Sequence, residues 1–541
     1  MKRPVRGAKL ASKWNHLAHR LPRSQWLTHG VHYRLRRVKC DERRPTCQRC
    51  EKAGRECRGY ETVPVGSYTW LQLLTGPQPC LAVDTAEARG LSYYHHAIAP
   101  SLAKSLDGVF WGVRVPQLLD QEPVIRHAVL AISALHEDFE ATLYRRAVGH
   151  LDNQTTLTTR LEPTSMMSAR CEFALGHYNT AIRMVLEDRI SNVETLLTVS
   201  LLFTCIELLQ GGTEAAAQHS QHGVQLYQDH RLPSELATAF YHLSIFPQFF
   251  DGAVLEKVAY PQQETCPVSI RDMDSLMQAR QRLDIYMGRG ARLLQVAAQR
   301  QWKGDNSYSR QELLAEQFEI RRCLDIWWQR FATLRSDLES TSLSESDAAA
   351  IRLLEARWLV SSILLDTCLK DRERECDNYL EDYRRIVQLA EKENAVRNAS
   401  RASLPSFSLD MGYLPLLYIT CHKCRHLQLR VRALVLMKDL SCSRETVWDS
   451  CIMYATSKWA IEVEHGLTLD EARMRAVDNP YPDEMLAADA KRIVAFNNTN
   501  AASLEVDADG NKIVRRRIRY FLADSNGVVG APDWGYTVMR I

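Results

Sequence analysis

Four cysteines, Cys40, Cys47, Cys50 and Cys57, are spaced C-x6-C-x2-C-x6-C. Zinc takes four tetrahedral ligands, and a C-x2-C pair lets two thiolates grip one ion from a tight turn. The residues around them are mostly cationic: Arg36, Arg37, Lys39, Arg43, Arg44, Arg49, Lys52 and Arg55. Thiolates interleaved with cations are hard to explain as core packing. The pattern predicts a metal-stapled module with a surface for a polyanion.

The stretch RLRRVKCDERRPTCQRCEKAGRECRGY, Arg34 to Tyr60, resembles the fungal binuclear zinc-cluster transcription factors. Their pattern is C-x2-C-R-x-R-R-x-K-C-D, a Pro turn, C-x2-C, a Gly and a last Cys. Lys39-Cys40-Asp41, Pro45, Gly54 and Gly59-Tyr60 all match. In that family six cysteines hold two zinc ions, and the first and fourth bridge both. Here the first two map onto Gly30 and Tyr33, which offer no thiolate. The resemblance leaves Cys47, Cys50 and Cys57 on one metal and only Cys40 and Cys47 on the other, so at most one zinc is expected. His29 and His32 have the right mutual spacing to substitute, since imidazole binds zinc well, but sit one residue early. The resemblance stops abruptly at Arg34. A mispredicted gene start and a true loss of two cysteines would both give that pattern, and both readings stay open.

The resemblance also implies how DNA is read. The family's first short helix, here Arg34 to Lys39, enters the major groove. Arg pairs with O6 and N7 of guanine together, so Arg36 and Arg37 are expected on the base edges of a CGG-type site. Arg34, Lys39, Arg43 and Arg44 are expected on phosphates, which position the module and make binding salt-dependent. Double-stranded DNA is the expected partner and the nucleus the expected location.

The charge distribution agrees with such a head. The net charge of +3 hides 17 Lys/Arg against 4 Asp/Glu in residues 1–60, and 51 against 61 in the rest. A basic end on a mildly acidic body points to nucleic acid. Residues 1–33 read as an atypical segment, expected to be disordered, and 34–60 as the partial zinc cluster. Residues 61–85, with Pro64, Pro77 and Pro79 and no heptads, read as a linker, so dimerisation through a coiled coil is not supported.

The expected fold class is all-α: a large multi-helix regulatory body behind the small head, with a short β-hairpin near the C-terminus. Residues 86–480 carry helical periodicity, as in EPVIRHAVLAISALHEDF, where Ile125, Ala128, Val129, Ile132 and Leu135 share a face. LLTVSLLFTCIELL (196–209) is a 14-residue apolar run containing Glu207, and reads as a buried central helix ended by Gly211-Gly212. Further helices are expected at 214–230, 272–302, 310–338, 347–371, 376–397, 411–439 and 444–467. Phrases such as EARGLSYYHHAIAPSLA, LPLLYITCHKCRHLQLRVRALVLM and WDSCIMYATSKWAI resemble the regulatory middle region of the same fungal factors. That implies a ligand-sensing or activity-restraining domain, with a small-molecule effector or transcriptional co-regulators as partners. The tail, 481–541, alternates around Asp509-Gly510, a hairpin turn pair. Within it RRRIR (515–519) reads as an exposed strand edge with gatekeeping arginines rather than a nuclear import patch.

No catalytic constellation is visible. HEDFE (136–140) is not H-E-x-x-H, there is no G-x-S-x-G or phosphate loop, and MGRGARLL (287–294) follows a helix where a dinucleotide motif needs a strand. Cys421 and Cys424 lack a second pair and read as core residues. His219 and His222 read as surface or capping residues. The chain is expected not to be an enzyme.

Overall fold

The computed structural model describes residues 85–102, 110–149, 168–187, 192–230, 273–303, 307–340, 343–370, 373–400, 405–476, 481, 485–506, 512–522 and 533–540. Among these, helices dominate and two small sheets complete the fold.

A first helix, α1 (Thr85–Tyr93), widens into a π turn over Tyr94–Ile98 before Ala99–Leu102. Tyr94 is fully buried there and donates its hydroxyl to the Trp111 carbonyl at 3.1 Å. Helices α2 (Pro123–Gly149), α3 (Ala169–Leu186), α4 (Val193–Gln210) and α5 (Thr213–His230) pack together around α4. The side chain of Asn192 caps α4 by accepting the Thr195 N–H at 2.7 Å. Gly211, at φ 77°, ends it in the left-handed region as the sequence predicts. Nearly every residue of α4 is buried. It is also long and apolar enough to cross a membrane, but its window is 89% buried inside the protein. Glu207 lies near its end, where its Oε1 accepts the Tyr178 hydroxyl at 2.7 Å.

Long helices α6 (Leu276–Lys303), α7 (Arg310–Ser340) and α8 (Glu345–Thr367) form a second layer. Trp327 is buried between them, and its indole N–H donates to the Ala279 carbonyl at 2.8 Å. Ser344 caps α8 by accepting the Asp347 N–H at 3.1 Å. Helices α9 (Leu380–Ser400), α10 (Leu414–Lys423), α11 (Leu427–Leu440) and α12 (Ser450–His465) enclose an extensive apolar cluster.

The stretch 411–439, expected as one helix, is two. Cys424 turns to ψ 130° and His426 caps α11, while backbone from 485–487 bonds to Arg425 and Leu427 across the break. The stretch 444–467 is likewise not helical throughout. It opens with strands β2 (Arg444–Glu445) and β3 (Trp448–Asp449), and β2 pairs in parallel with β1 (Phe407–Ser408). Thr446, at φ 54°, makes the tight turn between β2 and β3.

The tail is more than a hairpin. Strands β4 (Ile493–Val506), β5 (Lys512–Leu522) and β6 (Asp533–Arg540) form an antiparallel sheet in the order β4-β5-β6. Val506 pairs with Lys512, flanking the expected Asp509-Gly510 turn, which lies outside the described residues. The arginine run is therefore on the central strand, not an edge. β6, which the sequence reading missed, covers its far side.

Candidate functional site

All the metal and DNA positions read from the sequence lie outside the described residues: Cys40, Cys47, Cys50, Cys57, His29, His32, Arg34, Arg36, Arg37, Lys39, Arg43 and Arg44. What recommends them is donor chemistry. Four thiolates are a complete ligand set for one tetrahedral zinc, and Gly30 and Tyr33 withhold the two that a second ion would need. Among the described residues no three His, Cys, Asp or Glu side chains gather as a metal would require. Cys421 and Cys424 are buried and burial pushes their thiols up, to about 12 and about 11. Both suit inert core residues.

The helical body instead concentrates its charge in two buried networks, which the sequence reading missed. The first joins three elements. Arg357 on α8 donates to Asp410 at 2.8 Å, Arg280 on α6 reaches the same carboxylate at 3.3 Å, and Asp284 lies 3.6 Å from each arginine. The second centres on Glu464 of α12. Its Oε2 accepts from Arg430 at 2.5 Å, its Oε1 accepts the Ile493 N–H at 2.6 Å, and Arg425 lies 3.6 Å away. Burial alone would raise the Glu464 carboxyl, but Arg425 and Arg430 hold it below its ordinary value. Arg425 also donates to the Ile493 carbonyl at 3.0 Å and to Glu373 at 3.3 Å. Arg430 fills the position on α11 that Leu427, Leu434 and Met437 define, an arginine on an apolar stripe. That was the available sequence signal.

His219 corrects an expectation. It is buried rather than at the surface, edge-on to Phe203 with ring centroids 5.6 Å apart, and burial lowers its imidazole to about 4. Glu445 is a further buried carboxyl. It accepts the N–H groups of Gly412 at 2.9 Å and Leu414 at 3.3 Å, capping α10, and burial pushes it up to about 8. These groups tie elements together, with backbone amides and opposite charges as partners, and none faces another in a nucleophile–base pair.

Residues 33–64 match the family described as the fungal Zn(2)-Cys(6) binuclear cluster domain. The match begins at Tyr33, one residue before the resemblance read from the sequence, and leaves out Gly30. The chain is similar to an aspercryptin biosynthesis cluster-specific transcription regulator of Emericella nidulans, 27% identical over 233 residues, 38% of this chain and 35% of that protein. It is also similar to an uncharacterized transcriptional regulatory protein of Schizosaccharomyces pombe, 30% identical over 169 residues, 27% of this chain and 31% of the other. A transcription regulator of Purpureocillium lilacinum is 25% identical over 216 residues, 37% of this chain and 48% of that protein. The chain thus matches between about a third and half of the length of these relatives. No solved structure matches it.

Proposed function

We propose that this protein is a nuclear regulator of RNA polymerase II transcription that binds CGG-type sites through residues 34–60, under the control of its helical body. The observation that carries the proposal is the C-x6-C-x2-C-x6-C spacing with Arg and Lys between the thiolates, inside a stretch that matches the zinc-cluster family. Cys40, Cys47, Cys50 and Cys57 hold zinc, which supplies the folding energy that so short a segment cannot gain from apolar burial. Arg36 and Arg37 read guanines, and Arg34, Lys39, Arg43 and Arg44 engage phosphates. Relatives named as transcription regulators support the regulatory role. The body, rich in buried charge networks and without a catalytic constellation among its described residues, suits a restraint or sensor that answers to an effector or a co-regulator.

A second reading has one observation in its favour. Gly30 and Tyr33 stand where the family's pattern has cysteines, and the reading helix starts at the second of them. With that end unanchored, DNA reading is lost and the chain acts as a helical partner-binding regulator. Competition binding of the full-length protein to CGG-site and scrambled duplexes separates the two. The first reading expects at least a tenfold preference for the CGG site. Equal affinities, with preference appearing only after Gly30→Cys and Tyr33→Cys, favour the second.

A further inference from the structure

The sheet at the C-terminal end presents two unlike faces. One is closed by α12. Ile518 is fully buried on it, the Tyr520 and Trp459 rings meet edge to face at 5.1 Å, and Gly535 lies so close to Trp459 that a Cβ there would fall 2.5 Å from Cζ2. Because side chains alternate along a strand, Arg515, Arg517 and Arg519 project from the opposite face. The register puts Val538, Tyr536 and Trp534 beside them on that same face. These three apolar residues are 49%, 48% and 43% exposed, unusual for such side chains and left uncovered by α12.

The arginines and aromatic rings form a ladder. The Arg517 guanidinium sits 3.7 Å from the centre of the Trp534 ring, and Arg515 leans the same way onto Tyr536 at 5.7 Å. These are diagonal cross-strand contacts, which long side chains can reach. A guanidinium stacked flat on a ring still presents its N–H donors around its edge. The stacking also holds the indole in one orientation, so part of the ordering cost of binding is already met. Opposing this charge, Glu505 pairs with Arg515 at 2.9 Å at one end of the ladder, towards the start of β5.

From this we infer that the outer face of the β4-β5-β6 sheet binds single-stranded nucleic acid, with arginines on phosphates and Trp534 and Tyr536 stacked on bases. The site is separate from the zinc-cluster segment. Cationic side chains along a track with aromatic platforms beside it are what a single strand requires. The exposed rings favour a single strand over a duplex, because Trp534 and Tyr536 can stack on a base only where that base is not already paired and stacked. The run does not suit recognition as an extended import peptide, because β5 is hydrogen-bonded on both sides and Ile518 and Arg516 point to the closed face.

Fluorescence anisotropy of full-length protein with labelled oligo-dT tests the inference, with a duplex of equal length and anionic phosphatidylserine vesicles as competitors. Trp534→Ala should weaken oligo-dT binding about tenfold or more, the cost of losing one stacked base. Trp534→Phe, which keeps a ring, should retain most of the affinity and shows that the fold survives at this position. Arg517→Ala with Arg519→Ala should weaken binding and reduce the salt slope by about 1.4. Arg36→Ala with Arg37→Ala in the zinc-cluster segment should leave oligo-dT affinity unchanged. Unchanged affinity in the sheet variants would overturn the inference. So would a Trp534→Ala protein that binds oligo-dT normally, or vesicles or duplex competing better than unlabelled oligo-dT.

Discussion

Glu464 accepts the backbone N–H of Ile493 at 2.6 Å, so the carboxylate that balances Arg425 and Arg430 inside the helical body also anchors the first residue of the sheet. One buried anion thereby serves two guanidinium groups and a strand end. Removing one partner of a buried pair strands the others without compensation. Glu464→Gln should therefore destabilise the protein by about 3–5 kcal/mol, read as a lowered midpoint in urea. A loss below about 0.5 kcal/mol, the range of an ordinary surface change, would show that water takes over the role of the carboxylate.

Glu445 makes stability depend on pH in the opposite sense to an ordinary salt-bridged carboxylate. Its folded value of about 8 lies above the ordinary 4.5, with burial as the main cause. The folded state therefore holds a proton that the unfolded state releases between these two values. Its contribution is greatest below pH 4.5 and is lost as pH rises through 8. Glu445→Gln, which stays neutral, should lose less melting temperature between pH 5 and pH 9 than the parent does. The difference should amount to about 2 kcal/mol or more. Parallel pH profiles for the two proteins would show that Glu445 stays ionised in the fold.

Gly535 is set by contact rather than by backbone angle. A methyl group there would meet the Trp459 indole at 2.5 and 2.9 Å, a rigid ring packed between helix and sheet. Gly535→Ala should cost about 1–3 kcal/mol by overpacking and alter the environment of Trp459, visible in tryptophan fluorescence. An Ala variant as stable as the parent would mean that the sheet shifts on α12 without penalty.

The proposed DNA contacts divide by what they touch. Arg37→Ala should cost about 1–3 kcal/mol on a CGG-type site and relax the preference for guanine. Arg44→Ala should weaken specific and random DNA alike and lower the salt slope by about 0.9. Equal losses on both DNAs for both variants would reverse the assignment of base and phosphate roles.

The sequence was most legible where chemistry or local geometry is encoded in a few adjacent residues. The cysteine spacing and Gly211 at the end of α4 needed no distant partner to be read. It was least legible where a remote segment decides. The stretch around Cys424 is apolar on both sides of its break and has no proline or glycine, so the helical pattern runs through it. Leu427 nevertheless gives its N–H to the Met485 carbonyl, and Arg425 accepts from Ala487, contacts some sixty residues away in sequence. The same holds for β6. DWGYTVMR does alternate, but its large side chains Trp534, Tyr536 and Val538 lie on the open face and Thr537 on the buried one, so the apolar positions do not mark the core face. His219 shows the limit for polar residues: a lone histidine carries no mark of whether it packs on a ring or faces water.

Zinc stoichiometry of the full-length protein, measured by mass spectrometry of metal content before and after Gly30→Cys with Tyr33→Cys, tests the zinc-cluster reading most directly. Among its described residues the helical body gathers no cluster of ligands, and the change in zinc content between the two forms reports on the segment that carries Cys40, Cys47, Cys50 and Cys57. The unmodified protein should carry at most one zinc per chain, and the double variant two, together with a gain in preference for CGG-type DNA. Two zincs in the unmodified protein would contradict the account of the missing ligands and bring His29 and His32 into the site. No zinc in either form would contradict the zinc-cluster reading itself.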